Sequence, residues 1–294
     1  MHGQRFAPAK VNLFLHVGPV GADGYHPVCS LMTFANVGDV VRLEPSDAMD
    51  FKVIGPYGEG LANEAGPNLV ARARDAFLRL FDGETGSFRL VLDKQLPVAA
   101  GLGGGSADAA ATLGLLCQAF GVDTAADEVI EIARGLGADV SACLSVQPVV
   151  GRGRGDDLDT PPPFPEVDAV LVNPNLASPT GLVYRAFDAM TSDPSADEPA
   201  WPGALATPGE LAAFLGTCRN DLEAPAISLQ SAISDVLAAL RSRRETLIAR
   251  MSGSGATCFA ICASHEDARN AALAIADAHR DWWVRPCRLA GLRP

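Results

Sequence analysis

A glycine cluster near the middle of the chain could bind a phosphate group. Gly101 and residues 103–105 lie in the segment Leu96 to Leu113, and an alanine-rich stretch follows them directly. Glycine has no Cβ atom, so several backbone N–H groups of such a loop can turn towards one point. A helix that begins near Ser106 would add unpaired N–H groups and a partial positive charge. The segment therefore predicts an anion site, with a plain flexible turn ahead of a helix as the alternative.

The spacing of this loop differs from that of two common nucleotide-binding motifs. A dinucleotide-binding G-x-G-x-x-G motif counted from Gly101 would need glycine or alanine at Ser106, and counted from Gly103 it would need one at Asp108. A P-loop ends in Gly-Lys followed by Ser or Thr, and the chain contains no Gly-Lys pair. The loop is therefore predicted to hold phosphate in another way.

Lysine is rare in this chain. Lys10, Lys52 and Lys94 are the only lysines among 23 basic residues. Lys10 lies in an apolar segment that reads as a half-buried strand, where an ammonium group is costly without an anionic partner. Lys10 is therefore a candidate for chemistry, and a lysine that faces outward from the strand is the alternative.

The apolar pattern predicts a mixed set of strands and helices around these residues. We expect strands at residues 6–17, 40–43, 51–54, 88–92, 168–172, 247–251, 257–262 and 282–289. We expect helices at residues 68–81, 106–120, 125–136, 181–190 and 266–279, and a helical region over 222–243 that Pro225 interrupts early. Residues 160–165 and 192–203 read as irregular, and a second glycine loop, residues 252–256, lies between two strands.

Composition limits the classes of protein that fit. The chain has 294 residues, 48% of them hydrophobic, which is enough for a large core in two domains. A formal charge of −12 and a sequence pI near 4.8 argue against a nucleic-acid or anionic-membrane partner. No run of 18 apolar residues and no charged-then-apolar leader is found, so we expect a cytoplasmic protein. The sequence carries no signal for an oligomeric state.

The cysteines and histidines do not have metal-site spacing. Seven cysteines are scattered among apolar neighbours, with no Cys-x-x-Cys pair, and none of the five histidines is spaced as His-x-x-x-His. We expect reduced thiols in the core and no zinc site built by the protein. Any metal is expected to arrive with a nucleotide.

Three segments, in this order, resemble the GHMP kinases: Pro8 to Leu13, Pro97 to Ser106, and Met251 to Thr257. That superfamily phosphorylates small metabolites with ATP. The resemblance implies an α+β fold of two domains, an N-terminal α/β nucleotide-binding domain over residues 1–160 and a ferredoxin-like α+β domain over residues 161–294. The active site is expected in the cleft between them.

Further motifs narrow the resemblance. The triple glycine, Asp23 to His26, Gly137 to Val140 and Asn220 to Glu223 resemble the GHMP kinases that phosphorylate the 2-hydroxyl of a cytidine diphosphate-linked methylerythritol in the non-mevalonate isoprenoid route. One alternative is a homoserine or mevalonate type of GHMP kinase, against which the Asp23 to His26 motif argues. The other is a nucleotide-binding sensor without catalysis, against which the presence of both Lys10 and Asp139 argues.

The resemblance assigns roles to individual residues. It makes Asp139 the catalytic base and Lys10 its partner; without it, Asp139 reads as a helix cap. Tyr25 and Tyr184 would stack on the cytosine, His26 would bond its edge, and Asn12 and Thr180 would position the substrate. The tyrosines could instead be a turn residue and a packing residue. ATP is the expected donor, with Mg²⁺ bound to it and no protein ligand for the metal assigned. The residues expected to bind ATP are Pro97, Val98, Ala99, Ala100, Gly101, Leu102, Gly103, Gly104, Gly105, Ser106 and Ala107.

Overall fold

The computed structural model describes residues 2–61, 68–81 and 87–290, and the chain divides into two compact units. Unit 1 comprises residues 1–9, 38–98 and 103–146, and unit 2 comprises residues 10–37, 99–102 and 147–294. The chain passes between the units several times, whereas each of the two predicted domains is one continuous stretch of sequence. The division into domains at residue 160 stays a prediction.

Unit 1 combines strands with a group of helices that pack on one another. The elements that lie in unit 1, or begin or end there, are β1 (Gly3–Val17), β2 (Val28–Pro45), β3 (Asp50–Ile54), α1 (Gly58–Leu61), α2 (Leu69–Leu80), β4 (Phe88–Asp93), α3 (Gly104–Phe120), α4 (Asp127–Leu136) and α5 (Ala138–Ser145). Strand β4 pairs antiparallel with β2 and parallel with β3. Helices α2 and α5 pack on α3, and α4 packs on α2 and α5.

Unit 2 is built on an antiparallel sheet covered by helices. The further elements are β5 (Val149–Gly153), β6 (Asp157–Asp159), β7 (Val167–Asn173), α6 (Thr180–Met190), α7 (Pro208–Gly216), α8 (Glu223–Leu229), α9 (Ala232–Arg241), β8 (Thr246–Met251), β9 (Cys258–Cys262), α10 (His265–Ala278) and β10 (Trp283–Ala290). The strands of the sheet run in the order β2-β10-β7-β9-β8, and β5 pairs with both β2 and β6. The core includes Phe187, Leu237 and Met251, which are fully buried.

Most of the predicted elements are confirmed to within a few residues. The predicted helix over 68–81 is α2, and the Asn68 side chain caps it by accepting a bond from Val70 N at 2.8 Å. Residues 160–165 and 192–203 contain neither helix nor strand, as predicted. The short elements α1, α5, α7, β5 and β6 were not predicted, and neither was the first half of β2.

The expected break at Pro225 is wrong. Pro225 is the third residue of α8, in the first turn, where a missing N–H group costs no helical hydrogen bond. The helical region is interrupted later, between Leu229 at the end of α8 and Ala232 at the start of α9.

The seven cysteines are buried, as predicted for core thiols. Burial raises the pKa of several of these thiols, for example that of Cys29 to about 11. None of the helices within residues 2–61, 68–81 and 87–290 is long and apolar enough to cross a membrane.

His16 on β1 predicts a pH dependence of stability. Its Nδ1 donates to Asp197 O at 2.6 Å, and its Nε2 accepts from Arg219 N at 3.3 Å, which fits a neutral ring. Burial lowers the pKa of His16 from 6.5. The neutral His16 ring therefore stabilises the fold fully above pH 6.5. This stabilisation is lost as the pH falls from 6.5 through the folded-state pKa of His16.

We expect His16→Asn to flatten the fall in the free energy of unfolding below pH 6.5, measured by urea titration at several pH values. His2→Asn, at an exposed position, is the control and should keep the wild-type slope. An unchanged slope in His16→Asn would contradict the neutral, buried ring.

Candidate active site

Lys10 is held inside unit 2 by its neighbours on β1 and β2. It is only 4% exposed, and its Nζ donates to Asn12 Oδ1 at 2.8 Å. Asn12 Nδ2 donates in turn to Ser30 Oγ at 2.7 Å, and Ser30 Oγ donates to Phe14 O at 2.6 Å. The alternative of an outward-facing lysine is wrong, because this chain of bonds fixes the ammonium group in a buried position.

Unit 2 brings the three resembling segments together. The Lys10 N–H donates to Leu102 O at 2.8 Å, so the N-terminal motif contacts the central glycine loop. The second glycine loop, residues 252–256, is called the late glycine loop below. It contacts both other segments, because Ser252 Oγ donates to Gly101 O at 2.8 Å and Asn12 N donates to Ser252 Oγ at 3.1 Å. Thr257 N completes the junction by donating to Ala100 O at 3.0 Å. Segments distant in sequence therefore form one backbone junction.

Glycine is required at position 101 of this junction. Gly101 has φ +75°, in the left-handed region that other residues rarely adopt. A Cβ atom there would lie 2.3 Å from Ser252 O and 2.8 Å from Gly255 N. Both contacts are to backbone atoms, which cannot move away without displacing the late loop.

Polar side chains of unit 2 form hydrogen bonds with the late glycine loop. Asn220 Nδ2 donates to Met251 O and to Gly253 O, both at 2.8 Å. Ser178 Oγ donates to Ser254 O at 2.7 Å, and Thr180 Oγ1 lies 3.0 Å from Ser254 Oγ. Asn220 thus shapes the loop, and Thr180, a predicted substrate contact, is bonded to it.

The three predicted cytosine contacts lie in unit 2, and two of them touch. The ring centroids of His26 and Tyr184 are 5.1 Å apart. His26 Nδ1 donates to Gly18 O at 2.8 Å, and His26 Nε2 lies 3.2 Å from Asp188 Oδ1. Both ring nitrogens of His26 therefore face oxygen atoms of the protein.

Tyr25 is more exposed, and an arginine covers its ring. Tyr25 is 53% exposed, and the Arg154 guanidinium carbon lies 3.8 Å from its ring centroid. Arg154 was not predicted; the signal was its place between two glycines at the β5–β6 turn.

Tyr184 is half-buried and packs against the core of unit 2. The alternative of a packing residue therefore applies to Tyr184.

The start of α3 in unit 1 has the features predicted for an anion site. The N-cap residue Gly103 has φ +59° and provides no side-chain cap. The N–H groups in the first turn of α3 have no carbonyl acceptor within the helix, and the positive end of the helix dipole lies there. The helix begins at Gly104, two residues before the predicted start.

A buried ion cluster, which sequence reasoning missed, lies beside this helix start. Lys94 Nζ donates to Asp39 Oδ2 at 2.6 Å and to Asp108 Oδ2 at 2.8 Å, and the three side chains are at most 3% exposed. Burial alone would lower the pKa of Lys94, but Asp108 and Asp39 raise it above its ordinary value. Asp108 therefore points into the protein. The rarity of lysine was the signal for Lys94.

Asp139 lies in the first turn of α5 in unit 1, and it is not the N-cap. Gly137 occupies that position, and it has no side chain to cap the helix. The alternative of an aspartate at the N-cap is wrong, because Asp139 is the second residue of α5. Its half-buried carboxylate stays a candidate for chemistry.

Two family models match the chain. The GHMP kinases N terminal domain matches residues 68–146, and the GHMP kinases C terminal model matches residues 203–281. A Caulobacter vibrioides protein named 4-diphosphocytidyl-2-C-methyl-D-erythritol kinase is 51% identical, over 97% of this chain and 98% of that protein. A Cereibacter sphaeroides protein of the same name is 47% identical, over 98% of this chain and 99% of its own.

Solved structures agree. A crystal structure of 4-(cytidine 5'-diphospho)-2C-methyl-D-erythritol kinase superposes with a TM-score of 0.75 at 33% identity, covering 99% of this chain and 100% of that one. A homoserine kinase from Cytophaga hutchinsonii gives a TM-score of 0.71 at 21% identity, over 98% of this chain and 95% of that one, and shows a shared fold alone. The chain therefore belongs to the GHMP kinases and, within them, to the 4-diphosphocytidyl-2-C-methyl-D-erythritol kinase family. The predicted α+β fold class is confirmed.

Proposed function

We propose that this chain transfers the γ-phosphoryl group of ATP to the 2-hydroxyl of 4-diphosphocytidyl-2-C-methyl-D-erythritol, giving the 2-phosphate and ADP. The observation that carries the proposal is 51% identity over 97% of the chain to a kinase named for that substrate. The reaction belongs to the non-mevalonate route to isoprenoid precursors, and we expect it to take place in the cytoplasm.

In this proposal Asp139 is the general base. The substrate hydroxyl is a tertiary alcohol, which is too weak an acid for a carboxylate to remove its proton outright. Phosphoryl transfer passes through a loose transition state that needs little deprotonation of the nucleophile at the start. Asp139 therefore orients the hydroxyl and accepts its proton late in the step.

Lys10 stabilises the charge that moves with the phosphoryl group. Its ammonium group is held by Asn12, so little rearrangement is needed at the moment of transfer. Asn12 then has two tasks, to hold Lys10 and to help position the substrate.

The phosphates of ATP are proposed to bind along the central glycine loop, residues 97–107. Positive φ values at Ala99, Gly101 and Gly103 turn backbone N–H groups of this loop, and α3 starts at its end without a side-chain cap. Magnesium enters as the Mg-ATP complex, in which phosphate oxygens and water supply the hard ligands that this ion prefers.

The cytosine is proposed to stack between Tyr25 and Tyr184, since a flat base gains most from aromatic faces. His26 is the proposed contact to the base edge, and its Nε2 would exchange Asp188 for the base to make that bond. Thr180 is proposed to help place the methylerythritol portion.

Tyr184→Ala should weaken binding of the cytidine substrate by about 1 to 3 kcal/mol, because base stacking is lost. The KM for ATP should stay unchanged. Steady-state kinetics with each substrate varied in turn measures this. Tyr184→Phe, which keeps the ring, is the matched control and should stay near wild type. Since Tyr184 also packs on the core, thermal unfolding of both variants is compared. An unchanged KM for the cytidine substrate in a folded Tyr184→Ala variant would remove Tyr184 from the site.

Release of ADP from Mg-ATP tests the whole proposal. Purified protein is assayed with 4-diphosphocytidyl-2-C-methyl-D-erythritol, with homoserine and with mevalonate as acceptors. Turnover with the cytidyl substrate alone is expected. Turnover with another acceptor instead would keep the kinase and change its substrate, and ATP binding with no turnover would favour a sensor.

A further inference from the structure

The buried cluster of Lys94, Asp39 and Asp108, called the Lys94 cluster below, lies directly behind the first residue of α3. A Cβ atom at Gly104 would lie 2.9 Å from Lys94 Nζ and 3.7 Å from Asp39 Oδ2. Glycine at this position thus lets an ammonium group approach the backbone of the helix start. With all three groups ionised, the cluster carries a net charge of −1 in a place that water does not reach.

The two carboxylates of the Lys94 cluster are not equivalent. Asp39 Oδ1 accepts from Gln95 N at 2.5 Å and from Leu96 N at 2.8 Å, and its Oδ2 accepts from Lys94. Asp108 accepts only from Lys94 in the described part of the chain, and its Oδ1 is buried there without a hydrogen-bond partner. A buried carboxylate oxygen without a donor is costly, so Asp108 is where a proton would be held.

In the described part of the chain, α2, α4 and α5 bury no charged side chain that could compensate Asp108. Its charged neighbours are Lys94, in the segment after β4, and Asp39, on β2. Arg5 on β1 approaches α3 at Gly114, more than a turn further along. The residues that α2, α4 and α5 bury are apolar side chains and one thiol, namely Val70, Ala73, Phe77, Val129, Ile132, Ala133, Val140, Ala142 and Cys143.

Electrostatics agree with this geometry. The pKa of Asp108 is raised to about 7, chiefly because the carboxyl is buried, and the nearby Lys94 charge offsets only part of the effect of burial. Asp39 contributes to the raised pKa, both as a neighbouring negative charge and as an acceptor for a proton on Asp108. A small change in the local field near neutral pH can therefore change the charge of the cluster.

A nucleotide would supply such a change. Its phosphates are proposed to bind at the start of α3, one helical turn from Asp108, and they bring several negative charges. An ionised Lys94 cluster of net charge −1 opposes them, whereas a cluster with one added proton is neutral and does not.

We propose that Asp108 is a positioning residue for the nucleotide phosphates, and that its carboxylate takes up one proton from solvent when a nucleotide binds and returns it when the nucleotide leaves. The protonated carboxyl donates to Asp39, Lys94 stays charged, and no other bond is formed or broken. This inference rests on the proposed function, because it takes the phosphates to bind at α3.

Isothermal titration calorimetry of the full-length protein with Mg-ADP tests the inference. Titrations at pH 8 in two buffers with different ionisation enthalpies give the number of protons taken up per nucleotide bound. We expect the wild type to take up a measurable fraction of one proton and Asp108→Asn to take up none. We also expect the wild-type Kd to weaken between pH 7 and pH 8.5, by at most about tenfold per pH unit, whereas that of Asp108→Asn changes less.

Asp123→Asn, at an exposed position in the same unit, is the matched control and should take up the same fraction as the wild type. A purely structural role of Asp108 would change the free energy of unfolding and leave proton uptake unchanged. Binding and turnover by the wild type without proton uptake at pH 8 would overturn the inference alone, and this holds even if Asp108→Asn does not fold. Uptake by a folded Asp108→Asn variant equal to that of the wild type would overturn it too. No nucleotide binding at all would remove the proposed function together with it.

Discussion

Asp139→Asn is expected to lose about 100- to 10,000-fold in kcat and to keep wild-type binding of ATP, because a positioned general base contributes a factor of that size. Asparagine preserves the size of the side chain and its ability to orient the hydroxyl, but it cannot accept the proton. Stopped-assay kinetics with the cytidyl substrate measures kcat, and calorimetry with Mg-ATP in the absence of that substrate measures ATP binding.

Asp127→Asn is the control for Asp139→Asn, since Asp127 lies in the first turn of α4 as Asp139 lies in the first turn of α5. Near-normal turnover in Asp139→Asn would remove the residue from the catalytic step. A matched loss in both variants would indicate damage to the helices instead.

Gly101→Ala should destabilise the protein and abolish most of its activity. A left-handed conformation costs a non-glycine residue about 1 to 2 kcal/mol. The added Cβ would also lie 2.3 Å from Ser252 O, so the junction of the two glycine loops must open. We expect the free energy of unfolding to fall by more than about 2 kcal/mol, measured by urea unfolding, with kcat/KM falling in any protein that remains folded.

Gly181→Ala is the matched control for Gly101→Ala. Gly181 lies in α6, and a Cβ atom there would have no heavy atom within 4 Å. That variant should be as stable as the wild type or slightly more stable, because alanine favours a helix over glycine. Equal stability of Gly101→Ala and the wild type would contradict the close approach at the junction.

Local sequence patterns predicted the elements that bury one face and expose the other. Helix α2 buries Val70, Ala73 and Phe77 and exposes the opposite face, so its period is visible in the sequence. The first half of β2 was not predicted, because residues 29–35 are buried on both faces and show no alternation. Helix α7 spans nine residues and α5 only eight, too few for a clear period.

The site was harder to derive than the fold. Glycine spacing predicted a phosphate loop, but the junction of Lys10, Gly101 and Ser252 joins segments that are about 90 and 150 residues apart. Only the resemblance to a family suggested that these segments belong together. The Lys94 cluster joins residues 55 and 14 positions apart, and no local pattern relates them.

The position of the new phosphate tests the central claim most directly. The product made from Mg-ATP and 4-diphosphocytidyl-2-C-methyl-D-erythritol is examined by proton-coupled ³¹P NMR. The carbon that bears the 2-hydroxyl carries no hydrogen, so phosphorylation there predicts a new phosphomonoester signal without H–C–O–P coupling. A phosphomonoester signal split by such coupling, or no new phosphomonoester at all, would contradict the account.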